Sequence, residues 1–181
     1  MTRYTRPYLH TMRRRTVLRV AGSLAVSGVA TVAGCTGGGD DQATALGNTI
    51  DMVTKGATYY FDPIGLHVDP GETVTFRIES GNHSATAYTE SNPRSDERRI
   101  PEGADGWNSE TLRRGSFDHA FETEGTHDYY CVPHKRLAMV GRVVVGNPGG
   151  PAEESEIPDG EVPDSDRIVE EGSVSYAAFA G

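Results

Sequence analysis

Cys131, His134 and Met139 stand three and five residues apart in the run Tyr130-Cys131-Val132-Pro133-His134-Lys135-Arg136-Leu137-Ala138-Met139-Val140-Gly141. One tight loop can therefore turn a thiol, an imidazole and a thioether toward a single point. A second imidazole, His83 in Gly81-Asn82-His83-Ser84, lies far upstream at the start of an expected strand. Taken singly, each residue has a bland reading: Met139 as a core side chain, His83 as a loop histidine that binds nothing, and C-x-x-H as a weak motif. Together they supply two imidazoles, a thiolate and a weak axial sulfur, the donor set of a mononuclear copper centre that passes single electrons. The soft sulfurs favour Cu(I) and imidazole accepts both oxidation states, so little has to rearrange when charge changes. Zinc suits the set poorly, because structural zinc takes four strong donors and thioether is not one. A binuclear copper centre would need a second cysteine in the loop, and the loop has one.

The elements that must position these groups read as short β-strands. Val74, Phe76 and Ile78 alternate with Thr73, Thr75, Arg77 and Glu79 behind the turn Asp69-Pro70-Gly71, the pattern of a half-buried strand. Tyr129-Tyr130-Cys131 follows a turn at Glu124-Gly125, and Val143-Val144-Val145 closes the region. Strands at this spacing over residues 48–146 predict an antiparallel sandwich or barrel of about 100 residues. The polar stretch 90–105, with Pro93 and Pro101, predicts a long excursion with room for a short helix. His119 alternates with Phe117 and Phe121 and is expected to face inward, His127 to be a packed or corner residue, and His67 to lie on a strand edge.

Charge divides the 181-residue chain, whose formal net charge is −9. Residues 1–35 hold six arginines and no acid, whereas residues 36–181 hold 11 basic and 26 acidic side chains. Arg14-Arg15-Thr16-Val17-Leu18-Arg19 is a twin-arginine pattern, Val20 to Ala33 suits the apolar part of a signal peptide, and Val32-Ala33-Gly34-Cys35 resembles a lipobox. Residues 1–35 are thus expected to be a lipoprotein signal peptide and residues 36–47 a flexible linker. A Cys35–Cys131 disulfide is the competing use of the two cysteines. Residues 147–181 carry nine acids and one arginine and are expected to be a disordered acidic tail. The acidic balance excludes a nucleic-acid binder, which needs a basic face. With only two lysines against fifteen arginines, the acidic surface fits work in high salt.

Residues 50–146 resemble the cupredoxins, the blue copper proteins of the plastocyanin, pseudoazurin and halocyanin group. The resemblance is carried by Asp69-Pro70-Gly71-Glu72-Thr73-Val74-Thr75-Phe76, by His83, by Ile100-Pro101-Glu102-Gly103-Ala104 and by Cys131 to Gly141; the lipidated, acidic context is most similar to the halocyanins. It implies an all-β Greek-key β-sandwich, with His83, Cys131, His134 and Met139 as ligands of one Cu(I)/Cu(II) ion. It further implies a single-electron carrier, not an enzyme; the sequence carries no sign of oligomerisation, so a monomer is expected, and the signal peptide implies export to the outer face of the cytoplasmic membrane. Such a carrier would be anchored through Cys35 and serve redox proteins of a membrane respiratory chain. The same donor atoms would serve a copper-delivery protein. A copper enzyme would need a further site of about three histidines, and His67, His119 and His127 have no spacing that makes one. Three positions depart from the relatives: Ser84 follows the first histidine where Asn or Thr is common, Pro133 lacks an N–H, and His127 replaces a tyrosine.

Overall fold

The computed structural model describes residues 47–181; the twin-arginine segment, Cys35 and nearly all of the expected linker lie outside them. Two sheets face each other. One has the strand order β2-β1-β4-β6, formed by β1 (Thr49–Lys55), β2 (Thr58–Asp62), β4 (Glu72–Ile78) and β6 (Ser116–Phe121). The other has the order β5-β7-β8-β3-β9, formed by β3 (Gly65–Val68), β5 (Thr86–Ala87), β7 (Gly125–Tyr130), β8 (Val140–Val145) and β9 (Ser173–Val174).

The alternation expected at β4 is present: Val74 and Phe76 are buried, while Arg77 and Glu72 are exposed. Inner residues of both sheets form one core, in which Phe76 packs on Trp107 and Tyr129, and Phe61 meets Tyr129 edge to face. Not every pairing is antiparallel. β1 runs parallel to β4 and β3 parallel to β8, because the chain changes sheet between β2 and β3 and again between β3 and β4. This is the Greek-key β-sandwich that the resemblance implies.

Three more expectations need correction. The excursion between β5 and β6 contains no helix; it is held by buried side chains, Arg99, Ile100 and Trp107. The acidic segment 147–181 is not a disordered tail. It contributes helix α1 (Ser165–Glu171), strand β9 and helix α2 (Tyr176–Ala180), and it packs on the sandwich. Ile168 and Val174 are buried against Ile64 and Val144, each such side chain contributing about 1.5–3 kcal/mol. All the segment's acids except Asp159 are exposed, while fully buried Arg99 donates to the carbonyls of Ala152 and Ser155. This packing also explains the unbroken run Val143-Val144-Val145: every residue of β8 is buried because both its faces are covered. It places β3 inside the sheet too, so His67 is not on an edge. Its N–H donates to Gly172, and its Nε2–H donates to the Gly146 carbonyl.

Candidate metal centre

Cys131 follows β7, and the ladder between β7 and β8 continues one step into the loop: the Cys131 N–H donates to the Met139 carbonyl at 3.0 Å. The residues between are folded by a turn, with His134 N–H donating to Cys131 and Leu137 N–H to His134. A short 3-10 helix, Lys135–Leu137, carries the chain to Ala138, which takes a left-handed conformation (φ 60°) and returns it to the sheet. The loop therefore turns Cys131 and His134 to one side, and Met139 is buried in the same core cluster as Cys131. His83 arrives from another direction, fixed by reciprocal backbone hydrogen bonds with Leu112 of 3.0 and 2.8 Å.

Three donor atoms converge. The Nδ1 atoms of His83 and His134 are 3.2 Å apart, and the Cys131 Sγ lies 3.7 Å from the first and 3.4 Å from the second. The point equidistant from all three lies about 2.0 Å from each, the length of a transition-metal–imidazole bond. The spacing suits a transition-metal ion, with the sulfur a few tenths of an ångström nearer than the ~2.3 Å of a metal–thiolate bond.

The tautomer of His83 is set by its surroundings. Its Nε2 lies 2.9 Å from the Ser80 carbonyl, which can only accept, so Nε2 carries the proton and Nδ1 presents a lone pair to the centre. The Thr54 hydroxyl sits 2.9 Å from the same nitrogen. Gly81 makes room for this arrangement: it has a φ of 86°, and a Cβ there would stand 2.2 Å from Thr54 Oγ1. On the other side, the His134 ring is stacked on Tyr59.

Burial holds both imidazoles below their ordinary range, with His134 adding to the effect at His83, so both are neutral at pH 7. Burial pushes the Cys131 thiol up, against the partial relief of the Ser84 N–H, 3.4 Å from its sulfur. A cation bound here displaces the thiol proton. The donor set of one thiolate and two imidazoles suits a borderline-soft ion such as copper.

Ser84 ties the two ligand-bearing segments together. Its hydroxyl accepts the Val132 N–H at 2.8 Å and lies 3.1 Å from the Thr86 hydroxyl. The bracing expected of Asn or Thr at this position is thus present with serine. The remaining described histidines stand apart: His127 donates through Nε2 to the Thr123 carbonyl, and His119 faces inward, stacked on Trp107. With His67 bonded to Gly146, the three do not form a second cluster. Cys131 is a buried free thiol. Thr54, Ser80 and Tyr59 were not identifiable from sequence as neighbours of the centre, since each approaches from the β1–β2 layer or its flank and none carries a motif.

The chain is similar to known proteins. The profile of the copper-binding proteins of the plastocyanin/azurin family matches residues 48–146. The chloroplastic plastocyanin of Oryza sativa subsp. indica is 31% identical over 137 residues, covering 73% of this chain and 80% of its own. The halocyanin of Natronomonas pharaonis is 32% identical over 89 residues, about half of each chain (48% and 48%). Among solved structures, a pseudoazurin from Sinorhizobium superposes with a TM-score of 0.50 at 24% identity, over 68% of this chain and 90% of its own, a likeness of fold. The chain belongs to the plastocyanin/azurin family of copper-binding proteins, and copper is the metal of that family.

Proposed function

We propose that His83, Cys131, His134 and Met139 hold one copper ion and that the protein carries single electrons between redox partners. The observation that carries this reading is the triangle of His83 Nδ1, Cys131 Sγ and His134 Nδ1, preassembled with edges of 3.2–3.7 Å. Bound copper would supply the Cu(I)/Cu(II) couple, and buried Met139 would offer it a weak sulfur donor. The protein's own contribution is rigidity. Ser84 locks the two ligand segments to each other, Ser80 fixes the His83 ring, and Tyr59 backs the His134 ring. Groups held this firmly do not reorganise when the charge between them changes. His134 is the half-buried member of the triangle, and it emerges among exposed Pro133, Leu137 and Ala138. That small apolar rim is where a partner would approach, with the acidic surface influencing which partners do so.

Export and anchoring belong to the same reading. They are supported by the Arg14-Arg15 pattern and by Cys35 in its lipobox-like context, and mass spectrometry of the membrane fraction tests them: the mature chain is expected to begin at a lipidated Cys35. An unmodified N-terminus upstream of Cys35 would refute the anchor.

The copper reading is tested by a visible spectrum of the copper-loaded protein. The expected result is an intense thiolate-to-copper absorption near ~600 nm, abolished in Cys131→Ser. Met139→Gln should keep the colour and lower the reduction potential, because an amide oxygen favours Cu(II) over Cu(I). A colourless copper-loaded protein refutes the reading. Colour combined with rapid surrender of copper to a chelator would mark a copper-delivery protein instead.

A further inference from the structure

The family match ends at residue 146, yet the chain beyond it returns to the loop that carries Cys131, His134 and Met139. Asp159 is the pivot. Its carboxylate accepts the Tyr88 hydroxyl at 2.8 Å and lies 3.1 Å from the ammonium of Lys135, the residue after His134. The same ammonium donates to the Arg94 carbonyl and sits over the rings of Tyr88 and Tyr130, 5.1 and 4.9 Å from their centroids. The pair is shielded, with side-chain exposures of 12% for Lys135 and 21% for Asp159. One residue on, a Cβ at Gly160 would lie 2.9 Å from Val140 Cγ2 and 3.2 Å from Ala138 Cβ, so the backbone passes against both neighbours of Met139. Ile157 is buried with Tyr88, Tyr130 and Val140, and Val162 packs on the same cluster.

We propose that residues 157–162 form a strap that holds the 131–139 loop in its ligand-presenting shape, with Asp159 and Lys135 as its positioning residues. The strap touches a sequence neighbour of every candidate ligand in the loop: Tyr130 before Cys131, Lys135 after His134, and Ala138 and Val140 around Met139. The loop needs such support. Its internal hydrogen bonds at Ala138 and Met139 are long, 3.3 and 3.4 Å, and Arg136, Leu137 and Ala138 are exposed. Donors on a loop of this kind keep their positions only if outer contacts fix them.

The inference rests on the copper reading, and two measurements on the full chain separate them. The first uses metal-free protein: amide hydrogen exchange at Leu137, Ala138 and Met139 should accelerate about tenfold in Asp159→Ala and stay at the wild-type rate in Arg167→Ala, which breaks an exposed ion pair elsewhere in the same segment. The second uses copper-loaded protein: Asp159→Ala and Gly160→Val should lose copper to a chelator about tenfold faster and change the ratio of their visible bands. Asp159→Asn and Lys135→Met, which keep side-chain bulk, stand in if the first variants do not fold. Wild-type loop exchange and band ratios in these variants, even with a lower melting temperature, would overturn the strap. If the wild-type chain binds no copper, the copper reading fails while the exchange data still decide whether the strap orders the loop.

Discussion

Tyr59 and His134 stack face to face, with ring centroids 3.9 Å apart and planes inclined by 13°. Tyr59 belongs to β2 in the four-stranded sheet, whereas His134 is on the loop that follows β7 in the other. The stack therefore ties the half-buried imidazole to the opposite layer. Tyr59→Leu removes a contact worth about 0.5–1.5 kcal/mol and frees the His134 ring to swing. We expect a melting temperature lower by a few degrees and faster loss of copper to a chelator, both measurable on the same preparation.

Ser84→Ala tests the link between the two ligand-bearing segments. The Val132 N–H loses its acceptor, at a cost of about 1–3 kcal/mol for a group left unpaired away from water. The Ser84 N–H still reaches the Cys131 sulfur in this variant, so the colour of the copper-loaded protein should persist while the urea midpoint falls. Ser84→Thr should restore the midpoint.

Asp128→Asn tests the anchor of the C-terminal segment. Asp128 receives the Arg99 guanidinium at 3.0 Å and the Arg142 guanidinium at 2.7 Å, and its own side chain is fully buried. Neutralising it removes the buried counter-charge of two shielded cations and leaves them only the more distant carboxylates of Glu97, 3.6 Å from Arg99, and Glu153, 3.9 Å from Arg142, a loss of up to about 3–5 kcal/mol. Because Arg99 also holds the carbonyls of Ala152 and Ser155, limited proteolysis beyond Gly150 should accelerate in this variant.

His127 confers a pH dependence. Burial pushes its imidazole down to about 4, with the neighbouring His119 and Arg98 adding to the effect. The unfolded chain takes up this proton near its ordinary value of about 6.5, so between these values the unfolded state binds more protons. Stability contributed by neutral His127 is thus present above pH 6.5 and lost as the pH falls toward 4, a loss on the order of 3 kcal/mol. His127→Phe should show a flatter decline than wild type when urea midpoints in the same metal state are compared at pH 7, 5.5 and 4.5.

The centre was legible to different depths in different residues. The thiol, imidazole and thioether spacing of the 131–139 loop announces itself because all three lie within nine residues, and the alternation at Val74 and Phe76 announces the strand that frames them. His83 was legible as a partner only by residue type, since what brings it to the centre is a backbone pairing with Leu112. Tyr59, Ser80 and Asp159 carried no signal: each acts through a contact between segments that are distant in sequence. The order of the C-terminal segment is hidden because its buried apolar residues, Ile157, Ile168 and Val174, are few and widely spaced, so they set up no strand or helix period. The available clue lay elsewhere, in β8, whose three consecutive valines imply a second covering that the family's own span does not provide. Arg99 was hidden by the same logic, as an arginine in a polar stretch whose counter-charge is 29 residues away.

The short pairing of β9 with β3 has a consequence for how copies of the protein behave toward one another. Gly65 and Leu66 face Val174 and Ser173, and His67 donates to Gly172, so the backbone groups along that border of the five-stranded sheet are already engaged. Remove the last ten residues and the border becomes a template onto which a neighbouring molecule could add its own strand. With β9 in place the border ends in a strand of two residues, which offers a neighbouring molecule far less backbone to pair with than a bare β3 would.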